Sequence, residues 1–262
     1  MSGDANLGAV EGAARGVARY APAHAVVVEK STVPAGTAMR VKQTLARVRK
    51  DRARDMEVVS NPEFLREGKA VEDSLHPDRI LVGAESPRGH ATMRELYRPL
   101  IEQGCPIVET DVATAELAKH ACNAFLALKI SFVNALARIC ERADGDVVSV
   151  SEVMGMDPRI GKAFLDAGMG YGGSCFPKDL QAFDRLAARL GYDFALLREV
   201  ERVNDEAVDA VASKVHDALW NIEGKRVALL GLAFKPGTDD VRAAPALKLA
   251  ARLLREGAEV VG

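Results

Sequence analysis

The residue types best able to do covalent chemistry gather in one stretch, Gly170-Tyr171-Gly172-Gly173-Ser174-Cys175-Phe176-Pro177-Lys178-Asp179. Glycines let a backbone come close to a ligand, and proline suits the first turn of a helix. Cys175 is therefore expected just ahead of a helix N-terminus with Lys178 beside it, surroundings that favour a nucleophilic sulfur. Asp179 follows four residues later, so once the helix has begun the two side chains share a face. A lone cysteine in a tight turn is more often an inert structural residue. The composition around this one shifts the reading to a nucleophile.

Two further pairs repeat the four-residue spacing. Lys119 and Asn123 lie in a long apolar helical stretch and face the same way, able to hold a developing oxyanion. A solvated helix lysine is the bland alternative for Lys119, whereas an amide inside an apolar stretch needs partners. Glu63 and Glu67 follow the turn-forming Asn61-Pro62, where carboxylates facing a helix dipole would be equally ordinary. Thr32 comes just after the apolar run Ala25–Glu29 and would place a hydroxyl at the carboxyl end of a strand, where ligands bind in open α/β sheets. Alone it would be an ordinary turn threonine.

The elements that must position these residues alternate up to about Asp111. Helical spacing predicts helices over Leu7–Tyr20, Gly36–Ala53 and Pro87–Gln103. Short apolar runs predict strands over Ala25–Glu29, Met56–Ser60, Arg79–Gly83 and Pro106–Glu109. Such alternation implies a parallel sheet with right-handed crossovers. Strand signals then nearly vanish, leaving helices over Ala113–Ala143, Val147–Met154, Pro177–Leu190 and Phe194–Asn221, with a glycine-rich break at Gly168–Gly173. A strand at Arg226–Leu230, a helix at Pro245–Arg255 and a strand at Glu259–Val261 close the sequence.

The expected fold class is thus α/β: a truncated Rossmann-like parallel-sheet domain at 1–111, a central all-helical domain at 112–222, and the start of a second Rossmann-like domain at 223–262. A dinucleotide domain opens with a strand, a G-x-G-x-x-G turn and a helix whose start holds the pyrophosphate. Here Gly8, Gly12 and Gly16 are instead four apart along an expected helix with no strand before them, so both ends read as cut.

Composition narrows the partners. With 48% hydrophobic and 27% charged residues the chain can bury a core, and a net charge of −2 gives no footing for nucleic acid. No apolar run is expected to span a bilayer and no signal peptide is legible, which points to a cytoplasmic protein without a membrane partner. Cys105, Cys122, Cys140 and Cys175 show no C-x-x-C pairing and the five histidines no ligand spacing, so neither disulfides nor a metal site is expected.

The cysteine stretch resembles the signature of the UDP-glucose/GDP-mannose 6-dehydrogenase family. Further stretches match in the same order: Lys30-Ser31-Thr32-Val33-Pro34, Asn61 through Gly68 (NPEFLREG), Glu116-Leu117-Ala118-Lys119 through Asn123-Ala124-Phe125-Leu126, Asp157-Pro158-Arg159-Ile160-Gly161, and Ala233 through Arg242 (AFKPGTDDVR). The resemblance spans nearly the whole chain, and collinear agreement of several motifs is far more specific than any one.

The resemblance implies a primary alcohol oxidised twice to a carboxylate, through a thiohemiacetal and a thioester on Cys175, with NAD as cofactor and a nucleotide sugar as substrate. Phe176-Pro177-Lys178-Asp179 is similar to the UDP-glucose branch; GDP-mannose or another nucleotide sugar is the alternative substrate. It also implies roles. Cys175, Lys119, Asn123, Asp179, Glu63 and Thr32 would be catalytic, with Glu63 the base for thioester hydrolysis. Thr32, Glu67, Lys178 and Arg242 would face the cofactor. Phe64, Leu65, Arg66, Glu67, Lys119, Asn123, Phe164, Leu165, Asp166, Ala167, Gly168, Gly172, Phe234 and Lys235 would line the substrate, and Arg159 would reach the neighbouring subunit's nucleotide. Asp166 stands where some members carry a basic residue.

Two readings of different class follow: an NAD-dependent dehydrogenase of which this stretch alone is expected to be inactive, or a non-catalytic remnant that only dimerises. Leu117, Phe125, Leu128, Phe132, Leu136 and Ile139 form an apolar stripe wider than one buried face needs, so a two-fold homodimer is expected.

Overall fold

The computed structural model describes residues 7–49 and 55–262. They pack as two compact units, Met1–Cys122 and Asn123–Gly262, with the division falling inside one long helix.

The first unit runs α1 (Gly8–Tyr20), β1 (Val26–Glu29), α2 (Thr37–Arg49), β2 (Glu57–Ser60), α3 (Ala70–Leu75), β3 (Ile80–Gly83), α4 (Pro87–Glu102) and β4 (Ile107–Thr110), ending in the first part of α5 (Val112–Arg142). The stretch after Arg49 that was expected to extend α2 to Ala53 lies outside the described residues. α4 shows why its residues form a helix: Ser86 accepts the Gly89 N–H at its start, Pro87 fills the first turn, and Met93, Tyr97, Leu100 and Ile101 fall on one face. That face packs on Val59, Ile80 and Val82, with Met93 fully buried. Burial of such a side chain contributes roughly 1.5–3 kcal/mol, more than the ~1 kcal/mol of its cap.

Four strands form one sheet in the order β1-β2-β3-β4. β1 with β2 and β3 with β4 are parallel, but β2 meets β3 antiparallel through Ser60 and Gly83. The expected parallel pairing thus holds within each pair of strands and gives way at this one junction. A parallel return needs a crossover that covers the sheet, and the connection between β2 and β3 holds only the six-residue α3, which buries no residue. Asn61 reinforces the junction by donating from Nδ2 to the Leu81 carbonyl at 2.8 Å.

The second unit holds the rest of α5, then α6 (Val147–Met156), α7 (Phe176–Arg189), α8 (Ala195–Leu219), β5 (Arg226–Ala228), α9 (Pro245–Arg255) and β6 (Glu259–Val261), with β5 and β6 parallel. Asp146 starts α6 by accepting the Val148 and Ser149 N–H groups. α8 turns Leu197, Val200, Asn204, Ala207, Val208 and Ala212 inward at three- and four-residue spacing. Two cores result: Ala124, Ala127, Leu180, Leu197 and Val200 around the start of α7, and Val208, Ala212, Leu249 and Leu253 beneath β5 and β6.

By length and composition α5 is apolar enough to cross a membrane, which corrects the expectation that no stretch would be. Its buried polar residues speak for an interior helix. Lys119 lies 3.6 Å from Glu63, Asn123 bonds Asp179, Ser131 donates to the Val200 carbonyl, and Asn134 accepts the Gly168 N–H.

Candidate functional site

In the first unit, Lys119 is 6% exposed and meets two residues of the NPEFLREG loop. Its Nζ lies 3.6 Å from Glu63 Oε1 and 5.0 Å from the centre of the Phe64 ring. Arg79 stacks on the same ring at 4.0 Å, so Phe64 bears two cations. Glu63 also accepts the Leu65 N–H at 2.6 Å, fixing the turn after Pro62. Leu65 and Arg66 are exposed while Glu67 is half-buried. The Arg66 guanidinium closes a forked pair on Asp73, whose carboxyl it holds down at about 2.

The Lys30–Thr37 loop, which carries Thr32 off the end of β1, is pinned to α5. Buried Glu116 accepts the N–H groups of Gly36 at 2.6 Å and Ala38 at 2.9 Å, and His120 Nε2 lies 2.9 Å from the Val33 carbonyl. Burial raises the Glu116 carboxyl above its ordinary value even though both N–H bonds pull it down. Arg79, Asp73, Glu116 and His120 had no assigned role at the level of sequence. Glu116 opens a matched motif and His120 follows Lys119, but a residue that grips a backbone leaves no side-chain partner in the sequence to reveal it.

In the second unit, Cys175 occupies the N-cap of α7 and is exposed, and Pro177 sits in the first turn as expected. Its carbonyl accepts the Asp179 N–H at 2.9 Å. Asp179 is 1% exposed, and its Oδ2 accepts Asn123 Nδ2 at 2.6 Å. A buried carboxylate beneath a surface thiol, held by an amide, can orient that amide toward charge developing at the sulfur's target. Lys178 is exposed, with Nζ 3.9 Å from Asp179 Oδ1.

The residues expected at the substrate are placed as follows. Phe164 adopts φ 66°, a left-handed conformation that bulky residues rarely hold, and its ring lies 6.2 Å from that of Phe176. Asp166, Ala167 and Gly168 are exposed, but the Leu165 side chain is 2% exposed and belongs to the interior. Gly172 is tightly enclosed, with a Cβ there falling 2.5 Å from the Ala243 carbonyl and 3.0 Å from Phe234. Phe234 and Lys235 are half-buried. Arg159 and Arg242 fork onto Asp157 and Asp240, two residues before each, so a diphosphate would have to compete with those carboxylates.

Comparison with known proteins places the chain in a family. Three models of one family match in order: the NAD binding domain of the UDP-glucose/GDP-mannose dehydrogenase family at residues 1–101, its central domain at 113–206 and its UDP binding domain at 228–262.

The chain belongs to the UDP-glucose/GDP-mannose dehydrogenase family.

Among curated relatives it is 42% identical over 259 residues to UDP-glucose 6-dehydrogenase TuaD and 45% identical over 251 residues to UDP-glucose 6-dehydrogenase YwqF, both of Bacillus subtilis (strain 168). These alignments take in 99% and 96% of this chain but 55% and 56% of the relatives, so the chain spans little more than half their length. A UDP-glucose dehydrogenase structure from the hyperthermophilic archaeon Pyrobaculum islandicum superposes with a TM-score of 0.93 at 41% identity, covering 98% of this chain and 60% of that one.

NAD is the cofactor of this domain family. Thr32 lies in the loop that leaves the carboxyl end of β1, the side of an open α/β sheet where ligands bind, and that loop is pinned to α5 through Glu116. A glycine-rich pyrophosphate turn between strand and helix is not found among the described residues, where Gly12 and Gly16 lie along α1.

Proposed function

We propose that this chain carries the cysteine machinery of an NAD-dependent dehydrogenase that oxidises the C6 alcohol of UDP-glucose to the carboxylate of UDP-glucuronate. The observation that supports it most is the exposed Cys175 at the start of α7, with buried Asp179 one turn on and bonded to Asn123. NAD⁺, when bound, would supply the acceptor for one hydride in each of the two oxidations, so two molecules are used in turn. The chain's own residues do the rest. Cys175 Sγ adds to the intermediate aldehyde, giving its proton to solvent or a nearby base, and forms a C–S bond to a tetrahedral carbon. Asn123, with its second N–H, and Lys119, one turn before it on α5, hydrogen-bond the oxygen of that adduct.

After the second oxidation the thioester needs water. Glu63, the base that the family resemblance implies, takes the proton of that water as it attacks, the C–S bond breaks, and the thiol of Cys175 is restored with the carboxylate as product. Arg66, Arg159, Lys235 and Arg242 provide cations for the diphosphates of substrate and cofactor. Phe164 and Phe234, with the flanking Leu165 and Gly172 backbone, are read as the sugar and base contacts of the second unit, and Phe64 and Leu65 as the substrate-facing residues of the first. The three matched segments are read as NAD-binding, central helical and UDP-binding domains at 1–111, 112–222 and 223–262.

The assembly proposed is a cytoplasmic homodimer. Phe125, Phe132 and Ile139 of α5 are 62%, 53% and 63% exposed at seven-residue intervals, an apolar row that a second copy of the same helix would cover. A monomeric mass in solution would remove that part.

The test of the function is uronate formation from UDP-glucose with NADH followed in parallel, comparing the parent protein with Cys175→Ser. The variant is expected to bind UDP-glucose nearly as well, because the hydroxyl keeps the shape, and to lose at least about a thousandfold in net conversion. Uronate synthesis at the parental rate by the serine variant would overturn the covalent route.

A further inference from the structure

The segment that delivers Cys175 to α7 is built almost entirely of residues without gripping side chains, yet it is held at three points. Asn134 Oδ1 accepts the Gly168 N–H at 2.8 Å, and the Arg242 carbonyl accepts the Gly173 N–H at 2.8 Å. Between them, Asn204 of α8 grips the Tyr171 peptide from both sides. Its Oδ1 accepts the Tyr171 N–H at 2.7 Å while its Nδ2 donates to the Tyr171 carbonyl at 3.2 Å. Asn204 is 6% exposed and sits on the inward face of α8 among Val200, Ala207 and Val208, where an amide is costly unless both its ends are satisfied. The grip is also tight. Gly170 holds φ +98°, and a Cβ there would fall 2.6 Å from Asn204 Oδ1.

We propose that Asn204 is a positioning residue for Cys175: its amide clamps the Tyr171 peptide and so fixes the thiol over the first turn of α7. The proposal rests on the reading of Cys175 as the reacting group, but the clamp itself can be read without turnover. A side chain that bonds both the N–H and the C=O of one residue mimics a strand partner, fixing the backbone on both sides of its Cα at a point four residues from the sulfur. Only an amide of this length offers donor and acceptor together at that spacing. Leucine keeps the volume without the bonds, and aspartate keeps the acceptor alone.

The experiment is alkylation of the intact chain by iodoacetamide, with the rate at each cysteine read by peptide mass spectrometry. Amide hydrogen exchange is followed in parallel, for Asn204→Leu, Asn204→Ala and the milder Asn204→Asp. In Asn204→Leu and Asn204→Ala the Tyr171 amide is expected to lose at least tenfold in protection. The rate at Cys175 is expected to fall about threefold to fivefold, as the thiol leaves the helix start whose N–H groups favour it, while Cys122 keeps its parental rate. Asn204→Asp, which still accepts from Tyr171, should recover part of both. A Cys175 rate within twofold of the parent in Asn204→Leu overturns the proposal. An equal change at Cys105, Cys122 and Cys175 overturns it too, since Asn204 would then be a general core residue. An intact clamp in a protein that does not oxidise UDP-glucose would sink the proposed activity and leave the clamp standing.

Discussion

The candidate residues of the first unit and the segment that carries Cys175 in the second are held by opposite means. In the first, charges do it: Glu63 against Lys119, Asp73 against Arg66, and the Glu116 carboxylate against two backbone N–H groups. In the second, amides do it: Asn123 on Asp179, Asn134 on Gly168 and Asn204 on Tyr171. Amide bonds keep their geometry across pH and salt, whereas ion pairs and buried carboxylates answer to both. The nucleophile therefore sits on a frame indifferent to conditions, and the loop expected to supply the base sits on one that responds to them.

The contrast is tested most strongly where the frame around Cys175 does contain a charge. Asp179→Ala leaves Asn123 Nδ2 a buried donor without its partner, and removes a hydrogen bond to a carboxylate. Each is the kind of loss worth about 1.5–3 kcal/mol. A double-mutant cycle with Asn123→Ala, measured by urea unfolding, should give a coupling of about 1.5–3 kcal/mol between the two positions. Coupling below about 0.5 kcal/mol would mean that the 2.6 Å contact carries no weight and that the thiol's support lies elsewhere.

A smaller effect is expected at Glu116, where the first unit buries its charge. Glu116→Ala orphans the Gly36 and Ala38 N–H groups at the start of α2 and should cost about 2 kcal/mol, while Glu116→Gln restores one acceptor and recovers about half. Because burial raises the folded-state value above the ordinary 4.5, the carboxyl contributes stability fully below pH 4.5 and loses it as pH rises through the folded value. The stability of the parent relative to Glu116→Gln should accordingly decline across that window. A difference that stays flat with pH would show that the carboxyl is not desolvated in solution.

Legibility in the sequence followed the same divide between local pattern and distant partner. The start of α7 was readable because Pro177 and the glycines before Cys175 carry their own conformational preferences, and α5 because its periodicity runs for 31 residues. The antiparallel meeting of β2 and β3 was not, since strand direction depends on whether the connection covers the sheet, and α3 looks in sequence like any short acidic helix. Asn204 was hidden for another reason. It stands between Val203 and Asp205 in a charged run, and the groups it grips are the backbone N–H and carbonyl of a residue 33 positions earlier. Backbone partners have no residue type, so pattern cannot announce them. Leu165 shows the converse: a motif position carried over whole, whose side chain in fact points into the core.

The smallest expected effect lies at the Arg66–Asp73 pair, and it asks whether the first unit's loop is ordered by charge at all. Arg66 donates to Asp73 through its backbone N–H at 2.7 Å and through its guanidinium, closing the loop that carries Glu63, Phe64 and Leu65. The guanidinium bond is the largest cause holding the Asp73 carboxyl at about 2, with the backbone N–H next. A depressed acid contributes its stabilisation above its ordinary value of 3.8 and loses it as pH falls through about 2, so the loop should stay closed at pH 4 and open only in stronger acid. Because Arg66 is exposed, salt should weaken the pair well before pH does. Nuclear magnetic resonance titration of the Asp73 carboxyl should find its midpoint near 2 in dilute buffer and move it upward in molar salt, and Arg66→Gln should return it toward 3.8. At neutral pH that variant should expose the 63–69 backbone to limited proteolysis while leaving the alkylation rate of Cys175 unchanged. A midpoint near 3.8 in the parent would mean that Asp73 closes the loop through neither the guanidinium nor the backbone N–H of Arg66, and that the first unit's loop is not ordered by charge.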